Sequence, residues 1–180
     1  MVKTIMTLRR FTVLLAVLFL SLAPAAHARN AKTDVYFGYS RVGANLYSPN
    51  TPGMNGWQLA MHVKPLPFVG VEGDVSHYGV NAGAGSQHVT QVMFGPRVTV
   101  GTLGISVFAH ALGGFNHFSS TVVSGFSSSY TGTSYALGGG ADFPIFLGLK
   151  IRATGDYLGN NNAPSGASHY RIGFGVAYHF

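Results

Sequence analysis

The 180 residues allow one compact domain, and with only 9% charged against 47% hydrophobic residues the chain is far poorer in charge than a soluble domain, where about a quarter of residues are charged. A formal charge of +6 falls to +3 once Lys3, Arg9 and Arg10 are assigned to a leader, and the remaining cations form no run, which excludes a nucleic-acid footprint. Cysteine is absent, which excludes disulfide staples and thiolate chemistry.

Residues 1–28 read as an export signal: a basic start, the apolar run FTVLLAVLFLSLA, and the small-residue stretch APAAHA, with cleavage expected after Ala28. The run is shorter than the roughly 20 residues that span a bilayer, and no later segment reaches that length. If residues 29–180 cross a membrane they therefore do so as a closed barrel.

From there the chain alternates. DVYFGYSRVG offers Val35, Phe37 and Tyr39 on one face, and GWQLAMHVK sets Trp57, Leu59, Met61 and Val63 against Gln58, His62 and Lys64. FVGVEGDVSHYG sets Val69, Val71 and Val75 against Glu72, Asp74 and Ser76. HVTQVMFGPRVTV sets Val92, Phe94, Val98 and Val100 against Gln91, Gly95 and Arg97, with Pro96 calling for a bulge or weakened pairing. LGISVFAHALGGF leaves its facing open, because Phe108 and Leu112 share parity with Ser106 and His110, opposite Ile105, Val107 and Phe115. TSYALGGGADF opposes Tyr135, Leu137 and Phe143 to Ser134, Gly138, Gly140 and Asp142. LGLKIRATGDYL opposes Leu149, Ile151, Ala153 and Tyr157 to Lys150, Arg152, Thr154 and Asp156. The last stretch, SHYRIGFGVAYHF, alternates without a break, Tyr170 to Phe180 against His169 to His179.

Eight such segments predict an all-β fold, an eight-stranded antiparallel up-and-down transmembrane β-barrel. Links around KPLP, VGTL and FPIF read as tight turns, and those around YSPNTPGMN, VNAGAGSQ, SSTVVSGFSSSYT and NNNAPSGA as longer ones. That asymmetry suits short periplasmic turns and longer outer loops, with both mature termini in the periplasm. The bulky parity then faces lipid. Glu72, Asp74, Asp142 and Asp156 fall in the lumen with Arg97, Lys150, Arg152 and Arg171, where opposite charges in a bore only wide enough for side chains predict a salt-bridged filling. A narrow anion path through the same cations is the competing reading.

The motifs DVYFGYS, GVEGDVSHYG, FGPRV, ALGGGADF and a last strand ending in Phe180 resemble the outer-membrane β-barrel-domain family, which includes the OmpA-like transmembrane domain and small surface-antigen barrels. The resemblance covers the whole mature sequence. It implies outer-membrane lipid as the surroundings and insertion by the barrel-assembly machinery, for which Tyr170, Phe174, Tyr178 and Phe180 would be the C-terminal signal. Cell-wall tethering through a peptidoglycan-binding domain is not implied, and no cofactor is expected.

Other chemistry fits the residues less well. Some barrels of this size are enzymes with a histidine, a serine and a carboxylate at the rim, and His117 and Ser119 have a His-x-Ser spacing, but no acid lies between Ser119 and Asp142 to complete a triad. None of the seven histidines beyond the leader has another two residues away on its strand, so no metal and no catalytic residue is expected. The uncharged loops leave adhesion through Tyr47, Phe126 and Tyr130 as the alternative surface role, with the ligand unspecified.

Overall fold

The computed structural model describes residues 32–46, 52–82, 85–102, 104–122, 127–161 and 169–180. The predicted signal segment, residues 1–28, lies outside them. Eight strands follow in chain order: β1 (Lys32–Val42), β2 (Met54–Lys64), β3 (Val69–Ala82), β4 (Gly85–Thr102), β5 (Ile105–Val122), β6 (Ser127–Phe146), β7 (Leu149–Asn160) and β8 (Tyr170–His179). Each pairs antiparallel with its neighbours in sequence, and β1 pairs with β8 to close the barrel. Closure removes the unpaired edges an open sheet would carry.

The period-two pattern is what positions everything else. Along β8, Tyr170, Ile172, Phe174, Val176 and Tyr178 stand exposed on the outer wall while Arg171 and Ala177 are fully buried inside. β5 resolves the same way: Ile105, Val107 and Phe115 face out, and Phe108 and Leu112 are buried in the lumen. At the closing seam Gly38 pairs with Gly175. A Cβ on Gly38 would stand 2.5 Å from the Phe174 carbonyl, and one on Gly175 would overlap the Gly38 backbone. Only glycine lets β1 and β8 approach this closely.

One end of the barrel, here the terminal end, carries the start of β1, the end of β8 and the short links. Phe180 and Thr33 exchange backbone bonds there, at 3.0 and 3.1 Å. The other is the loop end. Two predicted turns shift: β4 runs on through VGTL to Thr102, and β6 continues past Pro144 to Phe146 with a register shift between them. The actual β6–β7 turn is Leu147–Gly148, with φ of 41° and 84° between the paired Phe146 and Leu149. Positive φ at both central residues matches the twist of a tight hairpin.

Two links predicted to be long are largely strand. VNAGAGSQ forms the ends of β3 and β4, and SSTVVSGFSSSYT those of β5 and β6, with Ser119 opposite Ser129 and Ser120 opposite Ser128. Hydroxyl-rich segments carry a full set of backbone donors and acceptors, so the ladder continues after the apolar alternation has stopped. Pro96 weakens pairing as predicted but makes no bulge. Gly95 and Pro96 drop out of the β4–β5 ladder, and the register resumes unchanged at Arg97–His110.

Candidate functional site: the barrel interior

Residues two apart on a strand share a face, so Glu72 and Asp74 on β3, Arg97 on β4, Asp142 on β6, Arg152 and Asp156 on β7 and Arg171 on β8 all point into one narrow space, each at most 6% exposed. They form one connected network. Arg97 Nη1 donates to Glu72 Oε2 at 2.7 Å, and its Nη2 lies 3.5 Å from Asp142. Arg152 grips Asp142 with two bonds of 2.6 and 2.8 Å. Arg171 spans the lumen, donating to Asp156 at 2.6 Å and to Asp74 at 3.1 Å, while Gln58 also donates to Asp74.

His110 completes the network and was not among the predicted members. Its Nδ1 lies 3.1 Å from Glu72 Oε1 and its Nε2 2.8 Å from Asp156 Oδ1. Ionised carboxylates only accept, so both ring nitrogens donate and the ring is an imidazolium. Four carboxylates then face three guanidiniums and one imidazolium, and the network is neutral. Its signal in the sequence was parity, since His110 shares a face with Phe108. Replacing His110 with Gln, which leaves Glu72 and Asp156 one partner short, is expected to cost about 1.5–3 kcal/mol in urea titrations of the refolded barrel.

The lumenal Phe108 also has its reason here. The Arg97 guanidinium carbon sits 3.5 Å from the centre of the Phe108 ring, and that of Arg152 5.0 Å from it. A phenyl plate among guanidiniums supplies a cation–π surface where no further acid is present. Gly140 makes room for it, since a Cβ there would stand 2.8 Å from the ring.

Lys150 belongs elsewhere. It pairs at 3.2 Å with Asp34, the remaining side-chain carboxylate, near the terminal end. Asp34 also meets His179 at 2.9 Å and His62 at 3.4 Å, residues opposite it in register on β8 and β2. This second cluster ties β1, β2, β7 and β8 together where the barrel closes.

Charge fills only part of the bore. Towards the loop end the interior is uncharged, with Val42, Met54, Tyr78, Met93, Leu112 and Leu158 packed into one buried apolar cluster among the buried polar side chains of Gln91, Asn116 and Ser134. The expectation of a lumen filled by charged pairs is thereby refined to a charged middle followed by an uncharged, largely apolar layer. Met, Tyr and Leu on the inner parity carry no compositional mark that separates them from lipid-facing residues, so alternation alone passed over them.

The remaining candidates fall outside this space. His117 stands on the outer wall with its Nδ1 3.0 Å from Thr131 Oγ1, and all five carboxylates of the chain are buried in the lumen, so no acid faces the His117–Ser119 pair. Among the described residues no three His, Asp or Glu side chains gather as a metal centre requires. Tyr130, suggested for adhesion, instead packs inward against Phe118 at 5.2 Å between ring centroids, and Tyr47 and Phe126 lie outside the described residues. Tyr170, Phe174, Tyr178 and Phe180 are exposed along the outer wall and at its edge.

No family model matches the sequence, and no curated protein does. Solved structures do. Ail, the attachment invasion locus protein of Yersinia pestis, is 22% identical with a TM-score of 0.56, over 84% of this chain and 99% of that one. Neisserial surface protein A is 12% identical with a TM-score of 0.56, over 83% and 94%. A major outer membrane protein of Thermus thermophilus is 15% identical with a TM-score of 0.60, over 84% and 100%. The likeness is one of fold: this chain has the architecture of a small outer-membrane barrel.

Proposed function

We propose, from that shared fold, that the chain is an integral outer-membrane β-barrel with a structural or surface-interaction role and a sealed lumen. The observation that carries this reading is the inversion of the usual arrangement: charge inside, large apolar side chains outside. Phe94, Phe115 and Phe174 are each at least 59% exposed, and so extensive an apolar exterior suits lipid rather than water. Both termini would face the periplasm, with the loop end outward. Tyr170, Phe174, Tyr178 and Phe180 would present the alternating C-terminal pattern to the assembly machinery.

Membrane fractionation with a heat-modifiability gel tests this. The chain is expected in the outer-membrane fraction and to change mobility on boiling. Recovery in the soluble periplasmic fraction would refute the reading, and undiminished assembly of a chain lacking Phe180 would refute the signal.

A surface-binding role is the second reading. Ail was solved with the heparin analogue sucrose octasulfate. In the present chain, Ser127–Ser129 of β6 pair with β5 alone among the described residues, which offers an extended partner a strand edge.

A further inference from the structure

The outer wall changes character abruptly near the loop end. On β2–β5 the register sets Leu59, Val75, Val92 and Phe115 side by side. Two residues further along each strand, the same face carries Trp57, His77, Thr90 and His117, with Thr131 next on β6. Hydrocarbon-facing residues thus give way to imidazoles and hydroxyls within about 7 Å of strand.

These rings are held in place. His77 Nδ1 lies 3.0 Å from Thr90 Oγ1, and His117 Nδ1 3.0 Å from Thr131 Oγ1. Each bond occupies one ring nitrogen and leaves Nε2 for an outside partner. His88 stacks on His77 with ring centroids 5.7 Å apart, and Trp57 stacks on His77 at 6.2 Å.

No carboxylate opposes them, because all five of the chain are lumenal. The neighbours in register are Trp57 and Asn55 from β2, Gly79 beside His77 on β3, Thr90 and His88 on β4, Ser119 beside His117 on β5, and Thr131 and Ser129 from β6. The charged group next in register is the Arg41 cation on β1, opposite Asn55. Protonating His77, His88 and His117 therefore builds positive charge that only an external anion offsets.

We propose that this imidazole row binds the phosphate of an anionic lipid headgroup, and does so more tightly in acid than in mild base. The proposal rests on the outer-membrane reading, which puts the row at headgroup level directly beyond the apolar wall. The chain's single tryptophan, Trp57, is a built-in reporter.

The full barrel is reconstituted in phosphatidylcholine vesicles containing a minor fraction of lipid brominated near the headgroup, either phosphatidic acid or phosphatidylcholine, and quenching of Trp57 is read. An anionic preference of about fivefold is expected at about pH 5.5, falling to near parity at about pH 8. The combined His77→Gln, His88→Gln, His117→Gln variant, its folding checked by heat-modifiability, is expected to show no preference at either pH. Equal quenching by both lipids in the unmodified barrel would overturn the proposal, as would a preference that survives in the variant. Loss of the preference on adding inorganic phosphate at the concentration of the lipid phosphate would overturn the assignment to lipid. Absence of quenching by either lipid would instead contradict the membrane reading and this proposal with it.

Discussion

Replacing Arg171 with Met is expected to lower the stability of the folded barrel by about 3–5 kcal/mol. The guanidinium is fully buried and is the link across the lumen between Asp156 on β7 and Asp74 on β3. Removing it leaves Asp74 with Gln58 and a weak bond from Ser76, and Asp156 with His110 alone. The loss is not a measure of what the pair contributes over an apolar filling, since buried pairs repay their own desolvation poorly. It is the cost of stranding carboxylates in a low-dielectric bore. Adding Asp74→Asn to Arg171→Met is therefore expected to recover part of the loss, and Arg41→Met, at an exposed site, to change stability by less than about 0.5 kcal/mol. Urea titrations of the refolded barrel measure all three, and equal effects at Arg171 and Arg41 would contradict the network.

Phe94→Arg probes the other face. Phe94 stands 67% exposed between Gly73 and Gly113, neither of which carries a side chain to shelter it. On the wall of a soluble barrel an exposed Phe→Arg change costs within about 0.5 kcal/mol. Mid-wall in a bilayer the same change is expected to cost about 2–4 kcal/mol. Unfolding of the chain in phosphatidylcholine vesicles distinguishes the two, and a cost under about 0.5 kcal/mol would contradict lipid contact at this wall.

Much of this was legible in the sequence because a period of two leaves a strong record wherever one face is uniformly bulky. From Tyr170 to Phe180 the pattern runs unbroken, and β8 lies as it predicts. The record fails where a side chain answers to the interior rather than to lipid. Phe108 looked misplaced because an aromatic on the polar parity violates the pattern, and its reason, the guanidiniums of Arg97 and Arg152, comes from two other strands. Asp34 went unplaced for the same cause: its partners lie on β2, β7 and β8, and only register brings them together. The loop-end plug of Met54, Met93 and Leu158 was illegible because hydrophobic residues on the inner face look like noise in the alternation. Loop lengths misled for a simpler reason. Ser- and Gly-rich segments resemble connectors in composition, yet β5 and β6 pair through them.

The proposed sealed lumen rests on the two lumenal layers together. The network of Glu72, Arg97, Asp142, Arg152, Asp156, Arg171, Asp74 and His110 neutralises its own charge, and the layer beyond it is packed with apolar side chains and carries no charged group among the described residues. Single-channel recording of the purified barrel in a planar bilayer tests this most directly. A flat trace is expected at all voltages the membrane withstands, and steady anion-selective steps abolished by Arg152→Ala would contradict the sealed lumen.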